Sequence, residues 1–190
     1  MRSSYIENNY GEIITAMVKG FQPSIAIEIG VLDGYSLCAI ATGLKHNRFG
    51  HVDAYDLFED YPFNHGLKNS VETELKEREL LSYVTLTKED AYLVHNHYKE
   101  REVHFLHVDI SNNGDTINRI MELWDSKIPY GGIICFEGGT VERDNISWMI
   151  KYDKPPIKQA IETDPILNSK YVYCTYLDFP GLTVCLKKRE

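Results

Sequence analysis

Short, nearly unbroken apolar runs alternate along this chain with stretches of helical spacing, and that rhythm limits the fold more than any other feature. Apolar runs fall at residues 24–29, 51–56, 83–86, 103–108 and 132–136. Between them, residues 36–46, 67–80, 90–99 and 114–126 read as helices, the last with Ile117, Ile120, Met121 and Trp124 on one side. A strand that is apolar on both faces must be covered on both faces. Strands alternating with helices therefore predict a parallel sheet with crossover helices packed against each side.

The carboxyl-terminal part breaks the rhythm. Residues 171–176 and 182–186 are strand-like, and only Leu177-Asp178-Phe179-Pro180-Gly181 separates them. A connection that short holds no crossover helix, so this pair is antiparallel. The expected fold is a Rossmann-like, doubly wound α/β domain: a mostly parallel seven-stranded sheet ending in an antiparallel strand pair. With 190 residues and 43% hydrophobic content the chain can bury one sizeable core, so residues 1–190 are expected to form one domain. An N-terminal helix is expected around residues 6–18. Residues 138–156 form one long irregular segment, which suits a lid or a contact between subunits of a homodimer.

The same sequence narrows the function. No window approaches the roughly 18 apolar residues of a bilayer span, and Met1-Arg2-Ser3-Ser4-Tyr5 starts no secretory signal, so a cytoplasmic location and no membrane partner are expected. A net charge of -8 disfavours nucleic acid, which calls for a basic face, and leaves a small molecule as the expected partner. Cys38, Cys135, Cys174 and Cys185 show no C-x-x-C spacing and fall in strand-like or helical stretches, so buried free thiols are expected.

In an open parallel sheet, ligands bind beyond the carboxyl ends of the strands where strand order reverses, a point the first strand usually borders. Gly30 and Gly34 stand there and allow a ligand close to backbone N–H groups at the start of the next helix. Glu28 lies inside the apolar run before them. A buried acid is costly unless satisfied, so it points either to a cationic ligand group or to neighbouring N–H donors. Asp56 ends the second run 26 positions after Gly30, where a carboxylate can accept both hydroxyls of a ribose. Asp53 competes with it from within the strand. Asp90, after the third run, reads either as an adenine contact or as a helix N-cap. Of the histidines, His107 shares a strand face with Asp109 near the catalytic end, as a proton acceptor or as a hydrogen-bonded core residue. Phe58, Tyr61, Phe63 and His65 line a substrate pocket or belong to the core. Within residues 138–156, Arg143 and Trp148 fit a lid.

Together, Glu28-Ile29-Gly30-Val31-Leu32-Asp33-Gly34, Asp56, Glu89-Asp90-Ala91, Pro129-Tyr130-Gly131-Gly132 and the terminal strand pair resemble the class I S-adenosylmethionine-dependent methyltransferases. Val108-Asp109 and the stretch Gly131 to Glu137 are similar to the macrocin O-methyltransferase and cephalosporin-hydroxylase group, whose members modify sugar and other natural-product hydroxyls. The resemblance implies S-adenosylmethionine as cofactor, held by Glu28, Gly30, Gly34, Asp56, Asp90 and Asp109. It implies Mg2+ at Asp109 and Glu137. Two positions depart from that group's pattern: Gly138 stands where a second acid is common, and Asn112 where a histidine is common. Methyl transfer from a sulfonium to a hydroxyl is an in-line displacement that also loses a proton, so Asp109 and His107 are the candidate catalytic residues. An NAD-linked oxidoreductase shares the strand-glycine-helix start, and a silent cofactor-binding domain would keep the fold without turnover.

Overall fold

The computed structural model describes residues 1–189. Seven strands form one sheet: β1 (Ile25–Ile29), β2 (His51–Asp56), β3 (Val84–Lys88), β4 (Phe105–Val108), β5 (Ile133–Glu137), β6 (Tyr171–Tyr176) and β7 (Leu182–Lys187). Their order is β3-β2-β1-β4-β5-β7-β6. The pairings among β1 to β5 are parallel, and β7 runs antiparallel to both β5 and β6. The fold expected from the alternation is the one found. Strand order reverses between β1 and β4, which places the ligand crevice beyond Ile29 and Val108.

Helices cover both faces. On one, α1 (Tyr10–Phe21), α2 (Tyr35–Asn47) and α3 (Lys68–Glu77) bury Ile14, Val18, Leu37, Ile40, Leu44 and Val71 against Ala26, Val52, Ala54 and Phe105. On the other, α4 (Gly114–Trp124) sets Ile117, Ile120, Met121 and Trp124 against Ile27, Ile29, Leu106, Val108, Ile134 and Phe136. Residues two apart along β1 thus enter the same core, and neighbours enter opposite cores, as the strand period requires. At roughly 1.5–3 kcal/mol for each fully buried large apolar side chain, this two-sided burial is the main force holding the layers together. Asn113 starts α4 by accepting from the Asp115 and Thr116 amides.

Several local expectations fail for identifiable reasons. Residues 90–99 form no α-helix, only turns and a 3-10 turn at Val94–His97. Asp90 takes the Tyr92 amide at 2.9 Å, and Tyr98 is drawn inward to Tyr55 at 2.7 Å and Asp53 at 2.9 Å. The N-terminal helix begins at Tyr10 rather than Ile6, because Asn9 is left-handed (φ 55) and residues 4–9 form turns. The segment 138–156 is not irregular throughout: it holds α5 (Val141–Asp144) and α6 (Ser147–Lys151), followed by α7 (Ile157–Thr163) and α8 (Pro165–Lys170). Cys38, Cys135 and Cys185 are buried free thiols, but Cys174 is exposed on the edge strand β6.

Candidate active site

The turn after β1 is built around Gly30. Its φ is +89, and a Cβ there would lie 2.0 Å from the Asp109 carbonyl oxygen, so only glycine lets β1 and β4 close this tightly. Gly34, also in the left-handed region at φ 85, precedes the first turn of α2. Asp56 braces the turn: one carboxylate oxygen accepts from the Val31 and Leu32 amides at 2.7 and 3.0 Å, the other from Phe58 at 2.7 Å. The carboxylate expected to take a ribose therefore first fixes the backbone on which a cofactor would rest. Asp90 accepts from the Tyr92 amide in a turn and is not the helix N-cap that one of its two readings expected, since no α-helix follows it.

Beneath the turn lies a buried polar chain. Glu28, fully buried, receives His107 Nδ1 at 3.0 Å on Oε1, and His107 Nε2 lies 3.2 Å from the Tyr5 hydroxyl. With Glu28 ionised, Nδ1 carries the imidazole proton and Nε2 accepts from the phenol, so each contact is satisfied by one tautomer. Glu28 is answered by a histidine rather than by backbone donors, and its Oε2 has no protein partner. Tyr5 gave no sequence signal. It reaches His107 because residues 1–9 cross the carboxyl end of the sheet. Arg2 binds Asp33 in the glycine turn, the Asn64 side chain and the His65 carbonyl; Asn8 donates to the Phe179 carbonyl. The hydrogen bond from Arg2 holds the Asp33 carboxyl below the usual carboxylate range. In the neighbouring loop Phe58 is core, whereas Tyr61 and Phe63 pack edge to face nearer the surface, with the Tyr61 hydroxyl 3.2 Å from Ser111.

The acids at the ends of β4 and β5 differ in their surroundings. Glu137 is held by Arg143, with Nε on Oε1 at 2.5 Å and Nη2 on Oε2 at 2.9 Å. Burial raises the Glu137 carboxyl while Arg143 lowers it, and the net direction is up. Asp109 has no such partner. Burial, then the charges of Glu137 and Glu28, push its carboxyl well above the ordinary value, and Arg143 only partly offsets them. Asn112 donates to the Val108 and Glu137 carbonyls at 2.9 and 3.0 Å, tying the ends of β4 and β5 together. Trp148 does not stand free as a stacking platform; the Arg143 guanidinium lies 5.5 Å from its ring centre.

These surroundings do not fit the Mg2+ expected at Asp109 and Glu137. Both Glu137 oxygens already face a guanidinium, and no group of three or more metal-ligating side chains occurs among the described residues. A hard divalent cation takes six or more oxygen ligands and prefers several carboxylates or waters around it. Nor can residue 138 readily supply the missing acid. Its φ of +103 strains any side chain, and a Cβ there would lie 2.7 Å from Ile157 Cδ1. In this structure Glu137 pairs with Arg143 rather than standing open beside Asp109. A separate cavity of about 410 Å³, lined by Arg101, Asp125, Tyr130, Lys170 and Lys187, lies at the amino end of β5 and takes no part in this site.

Sheet order, glycine turn and gathered acids define a Rossmann-like domain with its ligand crevice over β1 and β4. A family of methyltransferase domains matches residues 27–137, more than half of the chain, and the chain belongs to that family. A caffeoyl-CoA O-methyltransferase of Stellaria longipes is 29% identical over 140 residues, covering 69% of this chain and 54% of that protein. The chain thus spans about half the length of the curated relative it matches. Among solved structures, an O-methyltransferase from Bacillus cereus in complex with SAH superposes with a TM-score of 0.67 at 13% identity, over 94% of this chain and 81% of that one. An O-methyltransferase of Streptomyces achromogenes involved in tomaymycin synthesis, solved with SAM, gives 0.68 at 14% identity, over 98% and 86%. These two likenesses show the fold.

Proposed function

We propose that the chain transfers a methyl group from S-adenosylmethionine to a hydroxyl of a small molecule, a sugar or another natural product. The observation that carries this reading is Asp109, a carboxyl with no protein hydrogen-bond partner among the described residues, set where β1 and β4 part. The family membership and the O-methyltransferase relative support the same reaction. S-adenosylmethionine would lie over Gly30 and Gly34, near Asp56 and Asp90, with its sulfonium toward Asp109. The acceptor would enter beside Tyr61 and Phe63. Transfer is in line, so most of the rate comes from holding acceptor oxygen, methyl carbon and sulfur in a row. The acceptor's proton must also leave, and a carboxyl raised by burial at the end of β4 suits that task. Asp109 is the base in this reading, and His107 stays a buried support, because its basic nitrogen is covered by Tyr5. A protein of this kind working on small metabolites fits a cytoplasmic setting.

Titration calorimetry with S-adenosylhomocysteine and with NAD, followed by methyl transfer to a panel of catechols, simple phenols and free sugars, tests the reading. Micromolar binding of the first ligand only, and turnover on at least one acceptor that Asp109→Asn abolishes, is the expected result. Binding of NAD instead would replace the reading with hydride transfer. S-adenosylhomocysteine binding with no turnover on any acceptor would leave a silent cofactor-binding domain.

A further inference from the structure

The end of β5 presents an acid that has been neutralised from inside the chain. Glu137 is 4% exposed and Arg143 4% exposed, and the two meet through a bidentate contact at 2.5 and 2.9 Å. An arginine fork on a carboxylate is a strong, geometrically specific pair, and burial removes the water that would weaken it. Two groups on touching residues remain unanswered. Arg143 Nη1 is buried without an acceptor, and Asn112 Oδ1 is buried without a donor, while Arg143 Nη2 lies 3.4 Å from the Asn112 carbonyl. A buried charged donor left unmade is costly, so the Arg143 Nη1 donor calls for an acceptor that the described residues do not supply. A hydroxyl oxygen can accept from the guanidinium while its one proton is given elsewhere.

We propose that Arg143, rather than a divalent metal, answers Glu137 at this site, and that its unused Nη1 donor holds the oxygen of the methyl acceptor. The proposal rests on the methyl-transfer reading for its second half only. In the step, the acceptor oxygen forms a bond to the methyl carbon as the carbon–sulfur bond breaks and its electron pair returns to sulfur. The acceptor's proton passes to Asp109. Arg143 changes no bond; its Nη1 donor stabilises the anionic character that grows on the oxygen before the methyl arrives. A preorganised guanidinium does this without the ordered ligand shell that a hard cation demands, which the site does not provide. Gly138, the pairing of Glu137 and the lone Asp109 are then parts of one arrangement rather than separate departures from a metal site.

Mn2+ binding followed by electron paramagnetic resonance decides the first half with the unaltered protein, with and without S-adenosylhomocysteine. No loss of the free-ion signal at millimolar Mn2+ is expected, and turnover should be the same in EDTA as in Mg2+. Tight Mn2+ binding, or activity lost in EDTA and restored by Mg2+, would overturn the proposal while leaving methyl transfer intact. Arg143→Ala, by freeing both Glu137 oxygens beside Asp109, should create an Mn2+ site that the further change Glu137→Gln removes.

For the second half, turnover of the best acceptor on the panel should fall about 100- to 1,000-fold in Arg143→Ala, as when one oxyanion donor is lost. Arg143→Lys or added guanidinium should restore part of it. Turnover within a few-fold of the unaltered protein, with unchanged KM for the acceptor, would show that Nη1 serves only a buried water and sink that half. Should Arg143→Ala fail to fold, Arg143→Lys, which keeps the charge but loses the fork, is compared with the unaltered protein, and a smaller but clear fall in turnover is expected. If no acceptor is methylated at all, the methyl-transfer reading falls and the Mn2+ result still decides whether Arg143 excludes a metal.

Discussion

Asp109, just past the end of β4, and His107 within it carry opposite consequences for stability. The Asp109 carboxyl is raised in the folded protein, above all by burial. A raised acid favours its neutral form in the fold, so it costs stability increasingly as pH climbs from the unfolded carboxylate range to its folded pKa. Asp109→Asn should remove that cost and raise stability to urea at neutral pH by about 1 kcal/mol, a size common for relief of functional strain, while turnover is lost. A variant no more stable than the parent would refute this. The acid limb of the turnover profile should lie above the ordinary carboxylate range for the same reason. His107→Ala should do the reverse. It leaves the Glu28 carboxylate buried alone, at a cost of roughly 3–5 kcal/mol in urea unfolding. Tyr5→Phe removes one hydroxyl from the same chain and should cost about 1–2 kcal/mol. Sequence reading found Glu28, Asp109 and His107, because acids and a histidine inside apolar strands are conspicuous. It could not pair Glu28 with His107, which are 79 positions apart and meet only because β1 and β4 are neighbours.

At the scale of elements, the N-terminal residues and the edge strand make the clearest claims. Residues 1–9 are tied to the glycine turn through Arg2 and Asp33 and to the β6–β7 connection through Asn8. A segment crossing the mouth of a ligand crevice slows exchange more than it adds affinity. Deleting it should quicken S-adenosylhomocysteine release on the order of tenfold, about 1.4 kcal/mol, read by stopped-flow fluorescence. An unchanged release rate would show that the segment does not gate the site. On β6, Cys174 is the one exposed thiol, whereas burial pushes the Cys38 thiol up to about 11 and also raises Cys135 and Cys185. A disulfide reagent should therefore titrate one thiol quickly in the native protein and all four only after unfolding. The strands themselves were legible because each is an apolar run. The helix expected at 90–99 was not found, because Tyr98 is bound by Tyr55 and Asp53 from β2, a contact that no local pattern announces.

For the whole molecule, the sequence by itself determined the α/β alternation, the antiparallel ending, the two covered faces of the sheet and the glycine turn. Each follows from local rules: the period of apolar residues, the length of a connection and the backbone freedom of glycine. Tertiary structure alone decided what the acids at the catalytic end do. Glu137 and Arg143 are six positions apart, Arg143 lying within the short helix α5 that follows Gly138, and nothing in their spacing says that the side chains fold back onto each other. Asp56 likewise acquires partners from the turn after β1, and Glu28 and Tyr5 meet at His107 through β4 and the N-terminal crossing. The physical reason is that burial and charge pairing are properties of the space around a side chain. That space is assembled from segments far apart in the chain, so residue types can nominate a site but only the packed structure assigns each member its partner.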